Sequence, residues 1–275
     1  MSNDLPETKN VREFASGKLI YDEPAPHVAR LRIDNPDKRG ALDQEILDAL
    51  AFAEQVPQVQ ARCLVITGTG GVFSAGYDIG GLPEERFAEE AEKLVAHPFT
   101  EAITAISNFP FPTIGALNGH TIGGGLELAL SCDIRICAEG AKLGMPPAKL
   151  GLVYSYDGLD KFLQTIGPAR TRELFFTAQN ISADRALKWG LINYVRQAEA
   201  IAPDAVVMAE SIAANAPLSL SGNKRVIETL LKHSPIDPAV REELSNLRRD
   251  CFLSNDFHEG VRAFGEKRPP EWTGT

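Results

Sequence analysis

Two glycine-bearing turns hold the residues of this chain best placed for chemistry: FSAGYDI (Phe73 to Ile79) and IGGGLE (Ile122 to Glu127). Each follows an apolar, strand-like stretch and precedes a helix-like one. A strand-to-helix turn leaves backbone N–H groups unpaired at the helix N-terminus, where they attract negative charge. Two such turns side by side would each offer one N–H to a single oxygen, the design of an oxyanion hole. Taken alone, either turn is more simply a tight bend in which glycine permits positive φ. The stretch from Gly68 to Phe73 also invites a dinucleotide-binding reading, but Phe73 stands where the third glycine is needed, and no acidic strand end follows at the required distance.

These turns need elements to hold them. Ala29, Leu31 and Ile33 alternate with Arg30 and Arg32, a half-buried strand over 28–34. Ile46, Leu47 and Leu50 form a helical stripe reaching to about Val56. The apolar run from Cys63 to Thr67 reads as a strand buried on both faces. A helix through about Leu94, a strand from Thr113 to Leu117, a helix ending near Ser131 and a strand from Asp133 to Ala138 follow. His120 is read as a loop residue, and Asp78, at a turn before Ile79, as a helix cap. Strands alternating with helices indicate an α/β core. Beyond Tyr156 strands nearly vanish, and helices are expected over 157–166, 169–178, 182–189, 202–214, 217–233, 237–252 and 255–265. The division expected is a polar arm over 1–17, a core over 18–200 and a helical tail over 201–275.

Composition bounds the function. At 275 residues, 44% hydrophobic and 24% charged, the chain is long enough for one large domain with a helical appendage. A net charge of −9 argues against nonspecific nucleic-acid binding. It leaves room for a phosphorylated ligand at local clusters such as Lys38-Arg39 and Lys267-Arg268. No apolar run approaches the roughly 18 residues of a membrane span, and no secretory leader is evident, so a cytoplasmic protein without a membrane partner is expected. Four cysteines and five histidines fall at no metal-ligand spacing, so no metal is expected.

The segments FSAGYDI, NGHTIGGGLELALSCDIRICA and EGVRAFGEKRPP together resemble the enoyl-CoA hydratase/isomerase (crotonase) family. KRGALD, ISADRALKWGLINYV and APLSL extend the match over residues 28 to 270. The resemblance implies a spiral of strand-strand-helix repeats and a helical region that assembles trimers or hexamers. It implies an acyl-CoA substrate whose thioester oxygen is held by the N–H groups of Tyr77 and Gly124, with no cofactor beyond the coenzyme A of the substrate. Lys38, Arg39, Ala41 and Ala75 fall where the family contacts coenzyme A. Phe264 and Lys267 fall where a neighbouring subunit's tail touches it.

The hydratases of this family use two glutamates, and Glu127 matches the first. Pro147 stands in the place of the second and cannot exchange a proton. Ser155 occupies a position where other members carry a catalytic aspartate, and Asp157 remains a rival two residues on. Near a helix start, Glu127 could also simply answer the helix dipole. FSAGYDIGGLP, PPAKLGLVYS and ELFFTAQNISADRAL resemble the methylmalonyl-CoA decarboxylases of the family, in which a tyrosine at the position of Tyr154 bonds the substrate carboxylate. Those enzymes carry a histidine at the position of Tyr77. The expectation is therefore a lyase that decarboxylates a malonyl-type thioester through an enolate. Its rivals are a hydratase, isomerase or thioester hydrolase using Glu127, and a noncatalytic acyl-CoA-binding protein. The rival reading of Tyr154 is a packed tyrosine, in the core or at an interface, whose hydroxyl is satisfied elsewhere.

Overall fold

The structure, a computed structural model, describes residues 9–51, 61–78, 98–150, 153–232, 239, 242–243 and 254–275. Alternation places Ala29, Leu31 and Ile33 of β3 (Val28–Ile33) in the core. β3 pairs antiparallel with β2 (Leu19–Ala25), which pairs with the edge strand β1 (Lys9–Phe14). On its other side β3 runs parallel to β4 (Cys63–Gly68), which is buried at every position, as its unbroken apolar run requires. β6 (Thr113–Leu117), β8 (Ile134–Ala138) and β11 (Tyr194–Arg196) continue the parallel order, for seven strands in all.

A smaller sheet holds β10 (Ile181–Ser182), β9 (Lys142–Gly144), β7 (His120–Ile122) and β5 (Val72–Ser74), in that order. After α1 (Gln44–Ala51), whose Ile46, Leu47 and Leu50 face the core, the chain repeats one motif. A strand of the large sheet leads to a strand of the small one and on to a helix. β4 and β5 precede α2 (Thr100–Ser107), β6 and β7 lead into α3 (Gly124–Leu130), and β8 and β9 precede α4 (Tyr156–Thr177). This is the α/β spiral of strand-strand-helix repeats that the sequence suggests.

α4 joins the two helices expected over 157–166 and 169–178, with the break at Gly167 (φ +73°) and Pro168. α5 (Ala183–Trp189), within the helix expected over 182–189, has Ser182 as its N-cap and Gly190 in the left-handed region after its end. α6 (Ile201–Ala213) buries Ile201, Ala205, Val206, Ala209 and Ala213 against β4 and β6, and so covers the large sheet. α7 (Pro217–Lys232) and α8 (Asn255–Glu266) follow. Among the described residues no helix is long and apolar enough to cross a membrane, and no three metal-binding side chains gather.

Several expectations need correction. Residues 9–14 of the polar arm expected over 1–17 are a strand, β1, exposed along its length but hydrogen-bonded to β2. β2 escaped notice because Asp22, Glu23 and Pro24 break its apolar pattern. Its buried Asp22 is accommodated by a two-pronged bond from its cross-strand neighbour Arg30, at 2.9 and 2.8 Å. His120 opens β7 rather than sitting in a loop, and its Nδ1 accepts from the Lys142 N–H at 3.1 Å. The helices expected through Leu94 and over 237–252 lie outside the described residues, but for three isolated positions in the second.

Candidate active site

The two glycine turns meet. Gly76 carries φ +90° and packs so closely on the second turn that a Cβ there would lie 3.0 Å from the Gly124 nitrogen. Gly123, the N-cap of α3, adopts φ +58° and ψ −128°, a conformation open essentially to glycine alone. Gly125 faces β5 with no room for a side chain, since a Cβ would stand 2.6 Å from the Ser74 carbonyl oxygen. The run of three glycines thus lets the start of α3 rest directly on the first turn.

The first turn is held from its other side. Ala75 N–H donates to the Arg39 carbonyl at 3.0 Å, Leu42 N–H to Gly76 at 2.8 Å, and Asp78 N–H to Leu42 at 3.0 Å. In such a parallel bridge the N–H of the intervening residue, Tyr77, points away from Leu42. Gly124 is the first residue of α3, so its N–H belongs to the unpaired set at a helix start. Neither N–H meets a backbone acceptor among the described residues. Two N–H donors placed in this way can stabilise one developing oxyanion.

Glu127 lies one turn into α3, 3% exposed. Burial raises its carboxyl above the usual carboxylate range, opposed by a hydrogen bond from Tyr154 and by the charge of Lys161. The Tyr154 hydroxyl donates to Glu127 Oε2 at 2.5 Å. The resemblance implies a bond from this hydroxyl to a substrate carboxylate; in this structure its proton is directed at Glu127. The Tyr154 and Tyr77 hydroxyls also interact, and burial raises both phenols well above their ordinary range. Aromatic edges fix the two rings: Phe99 against Tyr77 with centroids 4.7 Å apart, and Phe175 against Tyr154 at 5.5 Å.

Sequence reasoning missed Gly158. A Cβ there would stand 2.5 Å from the Tyr154 ring and 2.9 Å from Glu127 Oε2. Its N–H donates to the N-cap oxygen of Ser155 at 3.2 Å, so the start of α4 folds over the pair. The spacing of Ser155 and Gly158 is an N-cap signal, and a glycine in a helix's first turn was the available clue.

Lys38, Arg39, Ala41 and Ala75 gather beside Tyr77 along the paired segments 39–42 and 75–78. Arg39 is left-handed at φ +55°, and Ala41 is buried. Lys38 spends its charge on Asp78 at 2.5 Å, which gives Asp78 an ion-pair role. Lys267 is exposed just after α8 with φ +54°, and Phe264 lies within α8 with its side chain outside the described set. No bond among the described residues joins Lys267 to the 38–41 segment. Pro147 is buried at the start of a short 3-10 turn, and Asp157 is exposed in the first turn of α4.

Comparison with known proteins gives consistent matches. A family model described as enoyl-CoA hydratase/isomerase matches residues 23–275. A carnitinyl-CoA dehydratase of Escherichia coli is 33% identical over 253 residues, covering 90% of this chain and 95% of that one. The crystal structure of an enoyl-CoA hydratase from Bacillus anthracis superposes with a TM-score of 0.86 at 29% identity, over 94% of this chain and 100% of that one. An enoyl-CoA hydratase/carnithine racemase from Magnetospirillum magneticum gives 0.83 at 29% identity, over 94% and 96%.

Proposed function

The chain belongs to the enoyl-CoA hydratase/isomerase family, and from that premise we propose that it moves protons on an acyl-CoA thioester through an enolate, isomerising or hydrating and dehydrating an enoyl-CoA. The thioester oxygen accepts from the N–H groups of Tyr77 and Gly124. Glu127 takes a proton from a carbon next to the thioester or its double bond. In isomerisation the bonding electrons pass onto the oxygen to form a dienolate, and Glu127 returns the proton two carbons further along, at the far end of the former double bond, as the double bond moves next to the thioester. The observation that carries this reading is the 2.5 Å bond from Tyr154 to a buried carboxylate one helical turn from Gly124. Burial raises the pKa of such a carboxyl, which makes it a stronger base than an exposed one.

With Pro147 in place of a second glutamate, the partner that Glu127 bonds is the phenol of Tyr154. A single base suffices to shift a proton between carbons on one face of an enolate, so isomerisation is the simplest form of this chemistry. In hydration, Tyr154 is the group nearest to a second proton carrier.

A second reading, decarboxylation of a malonyl-type thioester, draws support from Pro147. Loss of CO2 needs charge stabilisation and no base. It requires Tyr154 to turn from Glu127 to the substrate carboxylate. Incubating the protein with a panel of acyl-CoA thioesters in D2O and reading products by mass separates the two: deuterium uptake or water exchange with no loss of CO2 supports the first, and loss of CO2, with one deuteron taken up by the enolate it leaves, supports the second.

A further inference from the structure

The side chain of Tyr77 runs back over the glycine that its own turn meets. A Cβ at Gly124 would stand 3.0 and 3.1 Å from two carbons of the Tyr77 ring. The edge of Phe99 supports that ring at 79° between planes, and its hydroxyl reaches that of Tyr154. Ring and hydroxyl therefore bound the short span between the two N–H donors and Glu127. If the thioester oxygen sits on those donors, this span is where the second and third acyl carbons must lie, since Glu127 has to reach a proton there.

We propose that the Tyr77 side chain sets acyl specificity, admitting short acyl groups that carry an oxygen near the third carbon and excluding long unbranched chains. This rests on the enolate reading above and narrows its substrate class. A long chain would have to push the ring off Phe99 and move it away from Tyr154. A short acyl group with a keto, hydroxyl or carboxyl oxygen replaces that contact with its own. Sites that hydrogen-bond a substrate oxygen discriminate strongly against analogues lacking it.

The test is calorimetric titration of wild type, Tyr77→Phe and Tyr77→Ala with coenzyme A, butyryl-CoA, acetoacetyl-CoA and octanoyl-CoA. Wild type should bind acetoacetyl-CoA at least about tenfold more tightly than octanoyl-CoA, and butyryl-CoA in between. Tyr77→Phe should lose the preference for acetoacetyl-CoA over butyryl-CoA and still reject octanoyl-CoA. Tyr77→Ala should gain octanoyl-CoA affinity by about tenfold. Equal wild-type affinity for butyryl- and octanoyl-CoA, or an unchanged preference in Tyr77→Phe, overturns the proposal, and the Phe variant decides even if the Ala variant does not fold. Binding of every thioester without discrimination defeats this inference alone. Absence of binding by any thioester, or by coenzyme A, defeats the enolate reading with it.

Discussion

Tyr154 and Glu127, 27 residues apart in sequence, share a 2.5 Å hydrogen bond beneath the start of α4. The bond links the glycine turn that supplies Gly124 to the loop ahead of α4, so proton-carrying groups and candidate oxyanion donors are built into one unit. The phenol also opposes the effect of burial on the carboxyl, drawing its pKa down.

Removing only that hydroxyl, with Tyr154→Phe, should leave the fold intact, because the ring keeps its edge contact with Phe175. A hydrogen bond to a charged group is worth about 1.5–3 kcal/mol, so turnover should fall roughly ten- to a hundredfold. The acid limb of the kcat–pH profile should move to higher pH, since the bond that lowers the Glu127 pKa is gone. Steady-state kinetics across pH reads both effects, and an unmoved limb would return Tyr154 to a packing role.

Glu127 also leaves a mark on stability. Its folded-state pKa lies above the unfolded value, so its contribution is fully present below the unfolded pKa and is lost as pH rises through the folded one. Glu127→Gln has no such dependence. Its Tm relative to wild type should therefore climb as pH is raised from the acid range toward neutrality. Parallel Tm–pH curves would mean that burial does not perturb this carboxyl.

Gly158→Ala tests the close approach of α4. Gly→Ala in a helix is ordinarily neutral or stabilising. Here the methyl would meet the Tyr154 ring and Glu127 Oε2 at 2.5 and 2.9 Å. Overpacking of this kind costs about 1–3 kcal/mol. We expect a lower denaturant midpoint and a fall in turnover together; a variant as stable and active as wild type would show that the pair has room to move.

The helices had much of their pattern in view, and so did the turns. Ser182, Gly190 and the break at Gly167-Pro168 are local signals that act within one or two turns of chain. Strands β5, β7 and β9 are three residues each, too short for a period of two to register, and β2 hides a buried charge that only Arg30 across the strand explains. The meeting of the two glycine turns was legible because glycine alone serves at Gly123 and against Ser74. The partner of Tyr154 was not legible, since its contact with Glu127 depends on how α3 and α4 pack rather than on either segment.

On α7, Ile227, Leu230 and Leu231 share one helix face and are 55%, 50% and 52% exposed. An apolar stripe of this kind is commonly covered by another subunit. Light scattering at micromolar concentration should give a trimer or a multiple of three, and a monomer would leave the stripe unexplained.

The most direct test of the enolate reading is deuterium exchange into butyryl-CoA, which has no carboxylate to lose. Incubated in D2O with wild type, it should take up solvent deuterium beside the thioester. Glu127→Gln should slow that uptake by about a hundredfold or more while still binding coenzyme A. No enzyme-dependent exchange, together with loss of CO2 from a malonyl-type thioester at the same rate in wild type and Glu127→Gln, would contradict it.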